Sequence, residues 1–163
     1  HEVGITTRGA CADSVRNVTG CIHGGILAGE PFDVTPYVMA VHEYFLFNPL
    51  NLTFPRKFKI AFGSTCAEDC VQGPINDIAY YPRVVDGRQG FRVLAGGGLG
   101  AQPFLARHLR DFLPVEDLLI MSEAIARVQH RHGERKNRNK ARMKFVVKRW
   151  GEEKFRQVVE EEF

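Results

Sequence analysis

Residues 54–63 read Phe54-Pro55-Arg56-Lys57-Phe58-Lys59-Ile60-Ala61-Phe62-Gly63. From Lys57 onward the residue types alternate: Phe58, Ile60 and Phe62 point one way, and Lys57, Lys59 and Ala61 the other. A period of two predicts a half-buried strand over 57–63 whose second face is solvated or functional. Lys57 and Lys59 leave that face roughly 7 Å apart, close enough for two flexible ammonium groups to meet on one small anion. Two like charges side by side are costly unless something negative satisfies them. An exposed edge strand blunted with lysines is the alternative reading of the same pattern. Arg56 points to the opposite face or leaves the strand before it starts.

Outward from this strand, further strands are expected over 76–81 and 90–95, with Asp86-Gly87 as a hairpin-type turn between them. Gly96, Gly97, Gly98 and Gly100 then form a tightly turned or flexible loop. Upstream, residues 1–31 are rich in Gly and Thr and read as loop with short extended pieces. A helix is expected from Thr35 to Phe47, capped by Thr35 or Asp33, with Pro36 in its first turn and Asn48-Pro49 ending it. Downstream, three helices are expected, over 102–113, 114–132 and 151–162. The second opens on Pro114, Glu116 and Asp117 and closes at Gly133. The fold class is therefore α+β, with a mixed or antiparallel sheet flanked by helices, in one domain over 1–163.

Hydrophobic residues make up 44% and charged residues 25% of the 163, as in an ordinary globular domain. No apolar run approaches the roughly 20 residues of a membrane span. The net charge is +3, but ten Lys/Arg and only one acid, Glu134, fall in 127–149. An anionic partner is implied there: nucleic acid, membrane phosphate, a polycarboxylate cofactor, or simply solvent around a charged helix end. Four cysteines, Cys11, Cys21, Cys66 and Cys70, are too few for a disulfide scaffold and suggest a reducing, cytoplasmic compartment. Cys66 and Cys70 have C-x3-C spacing but read as loop cysteines, and Cys11 and Cys21 remain unassigned. The histidines are scattered and offer no metal spacing, so no metal ligand is assigned and structural zinc is disfavoured.

Several stretches resemble the siroheme-dependent nitrite and sulfite reductases. Residues 54–59 are similar to that family's PRKFK segment, and residues 6–21, Thr-Thr-Arg-Gly-Ala-Cys-Ala-Asp-Ser-Val-Arg-Asn-Val-Thr-Gly-Cys, to its GLTT…ACGDxVRNVTGC stretch. Ala12 stands where the family usually has Gly. Ile75-Asn76-Asp77-Ile78, Asp86-Gly87-Arg88-Gln89-Gly90-Phe91, Leu94 to Leu99 and Arg138 to Phe145 match further segments in the same order.

The resemblance implies a siroheme/iron–sulfur domain and six-electron reduction of sulfite to sulfide, or of nitrite to ammonia. It implies that Arg16, Lys57 and Lys59 hold the substrate oxyanion over siroheme. Asn17, Arg56, Gly96, Gly97, Gly98, Arg138, Arg142 and Lys144, with Lys140, would lie against the cofactor and its carboxylates. Nitrite-preferring plant-type members tend to carry a neutral residue at the position of Lys59, which points to sulfite here. A four-iron iron–sulfur cluster is implied as well, on C-x5-C and C-x3-C pairs expected downstream. Starting at His1 rather than Met, the chain reads as a fragment that is inactive alone. The implied partners are sulfite or nitrite and a ferredoxin- or flavoprotein-type electron donor, with no nucleic acid and no membrane. A basic nucleic-acid-binding module built on 127–149 and an assembly domain docking an acidic donor are the competing classes. Phe145 and Trp150 are the only aromatics there for base stacking.

Overall fold

The computed structural model describes residues 12–66 and 68–163. The motif residues before Ala12, Cys11 among them, lie outside that range. Five strands form one mixed sheet in sequence order: β1 (Val15–Gly20), β2 (Phe58–Phe62), β3 (Ile78–Val85), β4 (Arg88–Ala95) and β5 (Arg107–Pro114). β1, β2 and β3 run parallel, whereas β3, β4 and β5 are antiparallel neighbours. Parallel pairs need long connections. The β1–β2 connection carries helix α1 (Thr35–Phe47), and the β2–β3 connection is a loop with one 3-10 turn at Gly73–Ile75. After β5 come α2 (Leu118–His132), α3 (Met143–Trp150) and α4 (Glu152–Glu162). The expected α+β class holds.

The alternation in residues 57–63 positions everything else. Phe58, Ile60 and Phe62 are fully buried. The Phe62 ring stacks on Tyr80 at 4.9 Å, and Phe91 meets both edge-on, with Tyr37 of α1 closing the group. From the helix layer, Met121, Ile125 and Val128 of α2 and Val41 and Phe45 of α1 join the same core. The Tyr80 hydroxyl hydrogen-bonds the Ser122 hydroxyl of α2 at 2.7 Å, so this buried polar group is satisfied. Each large apolar side chain so buried contributes about 1.5–3 kcal/mol relative to exposure.

The second sheet face is also covered. Ala61 and Ala79 are fully buried, and the β2–β3 loop lies over them. Tyr81 packs onto Gly63 and Gly73, where a Cβ would collide with its ring, and its hydroxyl donates to Asp69 at 2.9 Å. On this face Lys57 and Lys59 escape the cover and open into a cavity.

Several expectations for the chain need correction. Residues 102–113 contain no helix; they supply β5. β5 carries two extra residues relative to β4, because Phe91, Val93 and Leu94 pair with Leu113, Arg110 and His108. Such bulges change which residues face the core, so only Leu109 and Leu113 are buried in β5, a spacing of four that suits a helical face equally well. In the region read as loop with short extended pieces, residues 15–20 are one such piece, strand β1, pairing with β2. Helix α3 arises in a segment for which no element was expected. The helix predicted from 114 begins as a 3-10 turn at Val115–Asp117 before α2. The helix over 35–47 stands as expected, with the Asp33 carboxylate accepting the Thr35 N–H at 2.9 Å.

Candidate functional site

Where β2 begins and the β4–β5 loop ends, a cavity of about 590 Å³ opens, lined by Arg56, Lys57, Lys59, Leu99, Gly100, Ala101, Gln102, Arg138, Asn139, Lys140, Arg142, Lys144 and Phe145. Seven of these are cations and none is a carboxylate. The sequence supplies this wall from three places: the start of β2, the loop 99–102, and the run from Arg138 into α3. In α3, Met143, Val146 and Val147 pack into the core, and Arg142 and Lys144 at its start face the cavity.

The cations are not equivalent. Arg142 is 8% exposed and donates from Nη2 to Asp77 Oδ2 at 2.6 Å; Asp77 is fully buried and accepts the Lys59 backbone N–H at 2.9 Å. Burial holds the Asp77 carboxyl above its ordinary range, against the pull of Arg142. Lys144 donates to the carbonyls of Leu99 (2.8 Å) and Gln102 (2.6 Å), which fastens the cavity's far rim. Arg138 donates to Asp13 at 2.9 Å, with Arg56 3.7 Å from the same carboxylate. Lys57 and Lys59, by contrast, make no ion pair among the described residues. Partial burial lowers the Lys57 pKa, reinforced by the positive charges of Lys59, Arg142, Arg16 and Arg56. A cation held below its usual pKa by burial and like charges is set to take an anion or to give up a proton.

Of the residues singled out from the sequence, Arg56, Lys57, Lys59, Arg138, Arg142 and Lys144 converge on this one cavity, as does Lys140. Arg16 sits beside it rather than in its wall. It projects from β1, its Nε donates to the Ala12 carbonyl at 2.7 Å, and it lines a separate small hollow with His42 and Asn51. Its charge still reaches Lys57. Asn17 pairs in register with Lys59; its side chain lies outside what is described. Gly96, Gly97 and Gly98 do not line the cavity. The space their missing side chains leave is filled by Val147, by the backbone of Pro74 and Asn76, and by the Arg142 guanidinium. Their close approach is thus to the chain itself. Asp77 went unassigned in the sequence, although an acid opening an otherwise apolar strand, Asp77-Ile78-Ala79-Tyr80, is a signal that it must be paired.

The ten basic residues of 127–149 do not form one patch. Arg127 pairs with Glu123 and Arg131 with Glu162, and Arg149 donates to the His132 carbonyl at 2.8 Å. Four others turn into the cavity.

At the opposite end of β1 and β2 a second constellation corrects the reading of the cysteines and histidines as unconnected. Cys21, His23, Cys66 and Cys70 present one sulfur or nitrogen atom each, and all four atoms lie within 4.8 Å of one another. Cys21 Sγ is 3.1 Å from Cys66 Sγ and 3.0 Å from Cys70 Sγ, and His23 Nδ1 is 3.3 Å from Cys66 Sγ. The three thiols are free. Spacing alone missed this group because its halves come from loops 45 residues apart.

No helix among the described residues is long and apolar enough to cross a membrane. Residues 11–163 match the family described as "Nitrite and sulphite reductase 4Fe-4S domain". The chain is 36% identical over 169 residues to the assimilatory ferredoxin-dependent nitrite reductase of Haloferax mediterranei, covering 100% of the chain and 29% of that protein. It is 35% identical over 171 residues to sulfite reductase [ferredoxin] 1 of Mycolicibacterium paratuberculosis, again covering 100% and 29%. Among solved structures, the Mycobacterium tuberculosis NirA protein superposes with a TM-score of 0.87 at 31% identity, over 99% of the chain and 29% of NirA. The chain thus spans about three-tenths of the length of these relatives. The match runs through the β2 lysines and the whole cavity wall, and the chain belongs to the nitrite and sulphite reductase 4Fe-4S domain family.

Proposed function

We propose that this chain supplies the oxyanion-binding wall of a ferredoxin-dependent sulfite reductase, nitrite being the alternative substrate within the same family. One observation carries the reading: seven cations line one cavity without a carboxylate in its wall, and its two strand lysines make no salt bridge among the described residues. The donor set also fits siroheme. Arg56, Arg138, Lys140, Arg142 and Lys144 would meet the macrocycle's carboxylates, and the buried Arg142 Nε has no hydrogen-bond partner among the described residues. Siroheme, when bound, supplies the iron centre at which the substrate is reduced.

The chain's own residues then have separable tasks. Lys59, anchored through its backbone N–H on Asp77, neutralises substrate charge. Lys57, with its lowered pKa, releases a proton from Nζ to the oxygen that departs; a second proton completes the water, and the electrons come from the ferredoxin-type donor. Arg16 adds positive charge from the side. Sulfite carries more negative charge than nitrite, so a second unpaired lysine favours sulfite. The electron donor is inferred from the relatives' names.

In the full-length protein, Lys57→Ala and Lys59→Ala are each expected to leave siroheme absorption intact while lowering kcat/KM for sulfite about 100-fold or more, the usual cost of losing one donor to a reacting oxyanion. Lys59→Asn should cost sulfite more than nitrite. Unchanged turnover in both alanine variants would remove the lysines from the site. A nucleic-acid role is weakened by the division of residues 127–149 between cavity and ion pairs.

A further inference from the structure

We propose that Cys21, His23, Cys66 and Cys70 bind a single tetrahedral metal ion, zinc by preference, in a structural site separate from the redox centre. The local fold brings the four together. Cys21 follows the last residue of β1, and its N–H donates to Phe62 O at 2.9 Å, at the last residue of β2. A turn closed by Gly24 N–H on Cys21 O (3.0 Å) carries His23 back over the thiol. Another turn, closed by Asp69 N–H on Cys66 O (3.2 Å), brings Cys66 and Cys70 to the same side.

The distances select one ion over a cluster. Zinc holds thiolates at about 2.3 Å and imidazole at about 2.0–2.1 Å, so in tetrahedral geometry its ligand atoms stand about 3.4–3.8 Å apart. Here three of the separations are 3.0, 3.1 and 3.3 Å and none exceeds 4.8 Å, so shifts of about 1 Å or less bring the four atoms onto one tetrahedral ion. A four-iron cluster puts each ligand on a different iron, so its four donors must stand further apart than the ligands of one ion. The set therefore does not fit the iron–sulfur cluster in the family's description, and no redox step runs through it.

Position agrees. Lys59 pairs with Asn17 in register, and Cys21 lies four residues beyond Asn17, about 13 Å along the strand at 3.3 Å per residue. A group in the basic cavity has no thiolate of this set beside it. Three cysteines and one histidine are a common closed structural zinc set, with no position left for substrate. Binding to the thiol form releases three protons, leaving three thiolates and a neutral imidazole on the ion. The ion would tie the ends of β1 and β2 to the loop that runs on to Asp77.

The test is metal analysis of the full-length protein purified without added metal. One zinc per chain is expected in addition to the iron of its redox groups. Cobalt(II) replacement should give the ligand-field bands of a tetrahedral thiolate site. Cys66→Ser/Cys70→Ser should abolish the zinc, and His23→Ala, at an exposed side chain, should weaken its retention against a chelator while siroheme absorption stays unchanged. Four additional irons with acid-labile sulfide lost in the same variants, a Cys21–Cys66 or Cys21–Cys70 disulfide in anaerobically prepared protein, or zinc unaffected by the double variant would each overturn the proposal.

Discussion

Lys57 is the residue on which charge, burial and chemistry meet. It alternates with Phe58 on a strand whose other face is fully buried, so its side chain has one direction to go, toward four other cations. Partial burial, reinforced by their repulsion, lowers its pKa, and the sign of the consequence follows. Oxyanion binding needs the ammonium form, so affinity is full below the pKa of Lys57 in the empty cavity and falls as pH rises through it. That alkaline loss comes at a lower pH than an ordinary lysine would give, and a bound anion moves it upward. Sulfite binding measured across the alkaline range should therefore weaken early in the parent protein. Lys57→Arg should extend the plateau to higher pH, because a guanidinium does not titrate there. Coincident profiles for the two proteins would show that Lys57 does not carry the charge the anion reads.

At the scale of elements, the loop from β4 to β5 shows how close packing substitutes for side chains. A Cβ built on Gly97 meets the Pro74 carbonyl oxygen, the Asn76 carbonyl oxygen at 2.6 Å and the Ala106 nitrogen at 3.0 Å. All three are backbone atoms tied to one another, with Ala106 N–H on Pro74 O at 2.6 Å and Gly97 N–H on Asn76 O at 3.0 Å, so none can swing aside. Gly97→Ala is expected to cost about 1–3 kcal/mol or more, read as a lower Tm and faster hydrogen exchange in residues 73–77 and 96–106. Gly87→Ala, where a Cβ meets no atom within 4 Å but φ is +75°, serves as a control for backbone strain alone. The same region marks the limit of sequence reading. Strands β2, β3 and β4 and helix α1 were legible because their periods are clean and their turns carry Pro, Asn or Asp-Gly. β5 was not, because two bulges shift its phase, and a strand's register is a property of the partner it pairs with. α3 hid in a run of cations whose apolar residues, Met143, Val146 and Val147, cover only one side.

Across the whole molecule, what the sequence made legible was the cationic half of the site. The unread half was its counter-charge, because pairing between Asp77 and Arg142 spans 65 positions and leaves no local pattern. Asp77 is nonetheless the joint between layers. Its carboxylate takes the Lys59 N–H of β2 and the Arg142 guanidinium at the start of α3, and its carbonyl takes the Gly96 N–H at 2.9 Å from the end of β4. The cavity keeps its shape because these elements meet there. Removing one member of a buried pair strands the other, at about 3–5 kcal/mol, whereas replacing both by apolar groups can be nearly neutral. Asp77→Ala should therefore lower the opening free energy of β2 and β3 amides in hydrogen exchange by about that amount. Asp77→Ala/Arg142→Met should regain much of the loss, yet bind sulfite and siroheme more weakly, since a cavity cation is gone. If the double variant is no more protected than the single one, the joint is made by Asp77's contacts with β2 rather than by the ion pair, and α3 is held to the sheet by the packing of Val146 and Val147 alone.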